Sequence, residues 1–286
     1  MAQGTNIKTY FDGAWHDGNV PIMSAGDHGT WQGTTVFDGA RYVEGLAPDL
    51  RAHCDRVVNS AKALMLHPGK TGAEIYDIVW DGLTRYPADA AVYVRPMFWG
   101  IDAGAYGILP AESEAGFCVC LEEVPIAPAD AAIRIATTRF HRPIQTDAVT
   151  NAKAGCLYPN NARMLAEVMG KGYDNALVAD AMGNVAESAT ANVFMVRDGV
   201  VFTPIPNGTF LNGITRQRHM ANLRADGVEV VEAVLSFDDF RAADEVFLSG
   251  NLNKVTPVVE FEGTSYQHGP VTRRVREMYW DWARSA

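Results

Sequence analysis

The run "NALVADAMGNVAESATANVFMVRDGVVFTP", residues 175–204, reads as three or four short strands joined by turns at Gly183 and at Asp198-Gly199. Upstream, "TNAKAGCLYPNNARMLAEVM", residues 150–169, predicts a helix from about Pro159 to Met169, with proline at its start and Gly170 and Gly172 at its end. A strand in "IRIATTRF" (133–140) precedes that helix. Beyond residue 204 come a helix in "TRQRHMANLRADG" (215–227), a strand in "EVFLSG" (245–250) and a terminal helix in "TRRVREMYWDWARSA" (272–286). Strands and helices intermixed in this way make the C-terminal half an α/β domain.

The N-terminal half reads as α+β. "IKTYFDGAWHDG" (7–18) flanks an Asp12-Gly13 turn with apolar and aromatic residues, which is a hairpin signature. Leu50, Cys54, Val57, Val58, Ala61 and Leu64 recur at helical spacing, as do Ile75, Ile78, Val79 and Leu83. "AAVYVRPMFWG" (90–100) and "GFCVCLEEV" (116–124) return to strand character. The proline-bearing "EEVPIAPADAA" divides the chain into an N-terminal domain (1–121), a linker (122–132) and a C-terminal domain (133–286). Two domains also suit 286 residues.

A net charge of −10 and scattered arginines argue against nucleic acid and against an anionic membrane surface as partners. The N-terminal stretch has no leader-like apolar run, and nothing approaches the ~18 apolar residues of a membrane span, so the expected location is cytoplasmic. Cys54, Cys118, Cys120 and Cys156 lack metal-ligand spacing, so no metal site is expected and they read as reduced thiols.

Four segments carry chemistry. Lys153 stands among Ala152, Ala154 and Gly155, small neighbours that would leave room for a flat ring; a lysine in a water-poor site can act as a neutral amine toward an aldehyde. Glu187 lies in a small, apolar stretch where a carboxylate needs a positive partner, and a pyridinium nitrogen is one. Gly213, Ile214 and Thr215 open a helix whose first N–H groups attract phosphate, and Gly250-Asn251 ends a strand able to aim amides at the same anion. Each also has a plain reading: a surface lysine, a solvated hairpin glutamate, a helix cap and an ordinary loop.

Together the segments resemble the class IV aminotransferases, through "TTVFDGAR" (34–41), "AHCDR" (52–56), "YVRPMFWG" (93–100), "NAKAGCLY" (151–158), "VAESATANVF" (185–194), "LNGITR" (211–216) and "KVTPV" (254–258). The resemblance implies a fold-type IV enzyme of two domains with the active site between them, a homodimer, and pyridoxal 5'-phosphate as cofactor. It implies that Lys153 forms the Schiff base and moves the proton, that Glu187 holds the ring nitrogen protonated, and that Tyr158 bonds the ring's phenolate oxygen. Arg56, Ile214, Thr215 and Asn251 would bind the phosphate, with Leu211 against the ring.

Within the family the branched-chain enzymes resemble this chain most. Tyr93 and Arg95, two apart on a strand, face one side and suit a substrate carboxylate, although such an arginine could also be a structural ion pair. Phe37 and Gly39 match pocket positions of that subgroup. Gln32 replaces a pocket tyrosine, and Asn251, Leu252 and Asn253 replace a threonine and two alanines; Trp31, Tyr106 and Trp99 add aromatic bulk that could line a pocket. The expected reaction is ping-pong transfer of the amino group from a branched-chain L-amino acid to a keto acid such as 2-oxoglutarate or pyruvate. An (R)-selective amine:pyruvate or D-amino acid transaminase is the alternative, and an aminodeoxychorismate lyase type ranks below it.

Overall fold

The computed structural model describes residues 4–285; the first three residues of the N-terminal stretch and Ala286, the last residue of the expected terminal helix, lie outside them. The chain splits into two compact units, the first comprising Met1–Ile126 with Asn151–Cys156, the second Ala127–Thr150 with Leu157–Ala286.

The first unit contains β1 (Thr5–Phe11), β2 (Ala14–Asp17), α1 (His28–Trp31), β3 (Thr35–Phe37), β4 (Ala40–Val43), α2 (Leu50–Ala63), α3 (Gly72–Leu83), β5 (Ala91–Trp99) and β6 (Gly116–Glu123). Its sheet runs β2-β1-β6-β5-β3, with β4 also on β5, and every pair is antiparallel. Asp12 (φ 50°) and Gly13 (φ 78°) make the expected hairpin turn, both in the left-handed region that a two-residue reversal requires. The apolar stripe read from α2 is buried along its length, and α3 opens with a capping box between Thr71 and Glu74. Ile78 departs from its stripe and is only partly buried.

The second unit contains β7 (Ile133–Thr137), α4 (Tyr158–Met169), β8 (Asn175–Ala179), β9 (Val185–Ser188), β10 (Asn192–Arg197), β11 (Val200–Pro204), α5 (Ile214–Ala225), β12 (Val230–Ala233), α6 (Phe237–Arg241), β13 (Glu245–Gly250), β14 (Lys254–Phe261), β15 (Thr264–Ser265) and α7 (Pro270–Ser285). The run 175–204 is four strands, with Gly183, Asp198 and Gly199 all at positive φ in the turns. The sheet order is β12-β11-β10-β13-β14-β7-β8-β9, with β15 on β14; β11–β12, β14–β7 and β7–β8 are parallel and the rest antiparallel. Alternate residues of β10 enter different cores. Val193 and Met195 pack with Phe240 of α6, whereas Phe194 and Val196 pack with Leu223 of α5 and Val275 of α7. Burial on both faces explains the nearly continuous apolar composition of this strand.

The division differs from the expected one at two places. Strand β6 continues through Glu123, because its backbone pairs with β5 and β1 past the residues assigned to the linker. Residues Asn151–Cys156 belong to the first unit: Ala154 bridges Val36, and Phe37 N–H donates to the Lys153 carbonyl at 3.1 Å. Among the described residues no helix is long and apolar enough to cross a membrane.

Candidate active-site groups in the two units

In the first unit the Lys153 backbone is held on both sides, its carbonyl accepting from Phe37 and its N–H donating to Ser60 Oγ of α2 at 3.1 Å. The ammonium nitrogen lies 4.9 Å from the centre of the Phe37 ring. The small neighbours serve close packing rather than room for a ring. Ala152 and Ala154 are buried, and a Cβ on Gly155 would stand 2.2 Å from Thr35 Oγ1.

Tyr93 and Arg95 share a sheet face as expected, and the register places three rows on it: Arg41–Tyr93–Glu122, Arg95–Cys120 and Phe37–Met97–Cys118. A Cβ on Gly39 would come within 2.1 Å of the Tyr93 hydroxyl, so the glycine is what lets the phenol sit there. Arg95 forms an ion pair with Glu122, the structural alternative left open by the sequence. Sequence reading passed over Arg41, although it closes the quoted "TTVFDGAR" motif. Its guanidinium is fully buried behind Tyr93, Nη2 donates to the Val124 carbonyl, and Nε and Nη1 have no partner among the described residues. Burial lowers the Arg41 pKa to about 10, while the Tyr93 phenol acts in the opposite direction.

Arg56, the expected phosphate ligand, donates through Nε (2.6 Å) and Nη2 (2.8 Å) to Asp38, which also accepts from His53 Nδ1 (2.7 Å) and from Gly39 N–H (2.7 Å). An acceptor-only carboxylate requires the proton on His53 Nδ1. Burial pushes the Asp38 pKa up, but Arg56 and His53 outweigh it and hold the carboxyl well below the usual carboxylate range. The bidentate contact fixes one edge of the Arg56 guanidinium. Gln32 ends α1 and is partly exposed. Of the three bulky aromatics, Trp99 is a core residue whose indole N–H donates to Asp27, while Trp31 and Tyr106 are exposed.

In the second unit Glu187 meets a guanidinium of the chain itself. Its Oε1 lies 3.1 Å from Arg142 Nε, and Oε2 accepts from Asn192 Nδ2 at 3.2 Å. The positive partner that this carboxylate needs is thus supplied by the chain as well, because Arg142 arrives from a loop 45 residues earlier. Arg142 is itself anchored by the Ser188 and Ala189 carbonyls and by Asn161. Asn192, also absent from the expected set, donates to the Leu211 carbonyl (3.0 Å) and accepts from Gly213 N–H (3.2 Å), which couples Glu187 to the loop entering α5.

That loop leads into α5. Gly213 is the N-cap of α5 and supplies no side-chain cap, so the N–H groups of Ile214 and Thr215 open the helix without one. Ser249, directly across the ladder from Asn192, has a buried hydroxyl with no partner among the described residues, and the same holds for Asn251 Nδ2. Asn251 Oδ1 accepts from the buried Lys254 Nζ, which leaves the amide's donor end as the one without a partner among the described residues. Unsatisfied buried donors beside a helix N-terminus fit a phosphate group. Leu211 and Leu252 are partly buried, and Asn253 Oδ1 accepts from Ala127 N–H at 3.4 Å. Tyr158 is the first residue of α4 and is exposed.

A class IV aminotransferase family model matches residues 35–261. The branched-chain-amino-acid aminotransferase of Escherichia coli strain K12 is 31% identical over 280 residues, covering 93% of this chain and 88% of its own. An aminotransferase from Brucella abortus, solved with pyridoxal phosphate bound, is similar with a TM-score of 0.96 at 49% identity, over 98% of this chain and 99% of that one. The branched-chain aminotransferase of Thermoproteus uzoniensis, solved with norvaline, gives 0.87 at 26% identity, over 98% and 95% of the two chains. The family model spans well over half of the residues, and the chain belongs to the class IV aminotransferases.

Proposed function

We propose that the protein is a pyridoxal-phosphate-dependent aminotransferase that moves the amino group of a branched-chain L-amino acid to a 2-oxo acid by a ping-pong mechanism. The observation that carries this reading is the arrangement of the first unit: the Lys153 amine over Phe37, on the sheet that also bears the Tyr93 phenol backed by a buried guanidinium. An amine for carbonyl chemistry and a receptor for a carboxylate are the two groups this reaction needs from a protein.

When bound, pyridoxal phosphate supplies an electrophilic carbon and an electron-accepting ring. Lys153 Nζ would hold the cofactor covalently, and its amine would serve as the base that moves a proton from the donor α-carbon. Glu187, oriented by Arg142 and Asn192, would accept the ring N–H. Tyr158 would donate to the phenolate oxygen, and Leu211 would pack against the ring. The N–H groups of Ile214 and Thr215, Asn251 Nδ2 and Arg56 would bind the phosphate. Tyr93 donates to the substrate carboxylate in the field of Arg41, while Phe37, Gly39, Gln32, Leu252 and Asn253 shape the side-chain pocket. Homodimer assembly belongs to the same reading and is supported by an exposed apolar patch of Trp31, Tyr106 and Ile108.

The test is the visible spectrum of cofactor-loaded protein before and after L-leucine, with no keto acceptor. Loss of the yellow band supports the reading. A yellow band that persists with L-leucine but disappears with an (R)-arylalkylamine or a D-amino acid assigns the donor to the alternative class. Lys153→Ala is expected to lose the yellow band and all turnover together, and normal transamination by that variant would overturn the assignment.

A further inference from the structure

We infer that Glu122 is a specificity-determining residue: by holding Arg95 it denies the pocket a receptor for a second carboxylate, so the preferred amino acceptor is a monocarboxylic 2-oxo acid rather than a dicarboxylic one. This rests on the transamination reading above and narrows its substrate class.

The antiparallel register sets the geometry. Tyr93 of β5 lies directly between Arg41 of β4 and Glu122 of β6, and Arg95 follows on the same face two residues along β5. Side chains diagonal across neighbouring strands are within reach of one another when one of them is long, and Arg95 closes that diagonal onto Glu122 Oε1. The carboxylate is pinned from its other side as well, because Oε2 accepts from the Gly4 N–H at 2.8 Å. Glu122 is 5% exposed.

The three ionic groups of the face then divide into two functions. Arg95 and Glu122 cancel one another, so the uncompensated positive field comes from Arg41, whose charge stands behind the Tyr93 phenol. One field and one hydroxyl donor suit a single carboxylate, the one every 2-oxo acid carries beside its carbonyl. A second carboxylate received by Arg95 would draw it away from Glu122 and leave that buried carboxylate without its counter-charge, and removing one partner of a largely buried ion pair is strongly unfavourable. A diacid would also bring its own negative charge toward Glu122. Specificity of this kind comes from the penalty placed on the wrong ligand. It favours 2-oxo acids of the pyruvate or branched-chain type over 2-oxoglutarate.

The comparison that isolates the effect uses two acceptors of equal chain length, 2-oxopentanoate and 2-oxoglutarate, with the enzyme first converted to its aminated form. Wild type is expected to favour 2-oxopentanoate in kcat/KM by about tenfold or more, mainly through KM. Glu122→Gln keeps an acceptor for Gly4 N–H but frees Arg95, and should shift the ratio toward 2-oxoglutarate by at least about tenfold. Adding Arg95→Gln to that variant should reverse the gain, which a general loosening of the sheet would not do. Binding of the non-reacting acids pentanoate and glutarate, read as shifts in melting temperature, should change rank in the same order. A wild type that prefers 2-oxoglutarate, or a ratio indifferent to Glu122 while both acids react, would overturn the role of Glu122 alone. Failure of both acids to accept an amino group in every variant would overturn the transamination reading and this inference with it.

Discussion

Asp38→Asn is the most demanding test of the first unit's electrostatics. The carboxylate is fully buried and accepts from four donors: Arg56 Nε and Nη2, His53 Nδ1 and Gly39 N–H. Asparagine has nearly the same size, so no cavity opens, but its single oxygen can accept from about two of those donors and its NH2 is driven against the rest. It also leaves Arg56 without its counter-charge. Breaking a buried pair in this way costs about 3–5 kcal/mol, which for a protein of this size lowers the melting temperature by on the order of 10 °C. The pH dependence has a definite sign. Because the folded-state pKa of Asp38 is depressed, its contribution is complete above the ordinary carboxylate value of about 4 and is lost as pH falls through the lower folded value. Thermal unfolding of both proteins should therefore show a constant gap from about pH 8 to pH 5 that narrows only below about pH 4. A gap under about 1 kcal/mol at pH 7, far short of the cost of breaking a buried pair, would refute the reasoning. A gap that already narrows between pH 7 and pH 5 would equally refute the assignment to Asp38.

Asn192→Ala removes three hydrogen bonds and leaves Gly213 N–H without its acceptor, a loss of about 1–3 kcal/mol. Titration of cofactor-free protein should show pyridoxal phosphate bound at least about tenfold more weakly, a change of roughly 1.4 kcal/mol, with pyridoxal, which lacks the phosphate, less affected. Equal losses for the two would argue for general unfolding of the loop. Gly39→Ala drives a methyl group against the Tyr93 hydroxyl, and overpacking of this kind costs about 1–3 kcal/mol. Steady-state kinetics should show a higher KM for L-leucine, and an unchanged KM would remove Tyr93 from the substrate carboxylate.

Much of the fold was legible because local physics repeats along the chain. The Asp12-Gly13 reversal, the stripes of α2 and α3 and the four strands of residues 175–204 each follow from spacing and turn chemistry within about fifteen residues. Short strands such as β3 and β4 were not legible, since three or four residues carry no period; they form because β5 supplies partners for their backbone groups. The proline-rich composition of residues 122–132 outweighed a ladder with β5 that composition cannot express.

The sequence by itself determined the identity and order of the chemical groups: an amine at Lys153, a carboxylate at Glu187, a glycine-opened helix at Ile214, and a phenol and guanidinium two apart on β5. Those are properties of residue type and short spacing. Only the tertiary structure decided how each group is compensated. Asp38 spends itself on Arg56, Arg142 crosses from a distant loop to Glu187, Asn192 ties that carboxylate to the α5 entrance, and Glu122 claims Arg95. Charge pairing depends on distance in space, and strand register and loop packing bring together residues whose separation in the chain carries no signal.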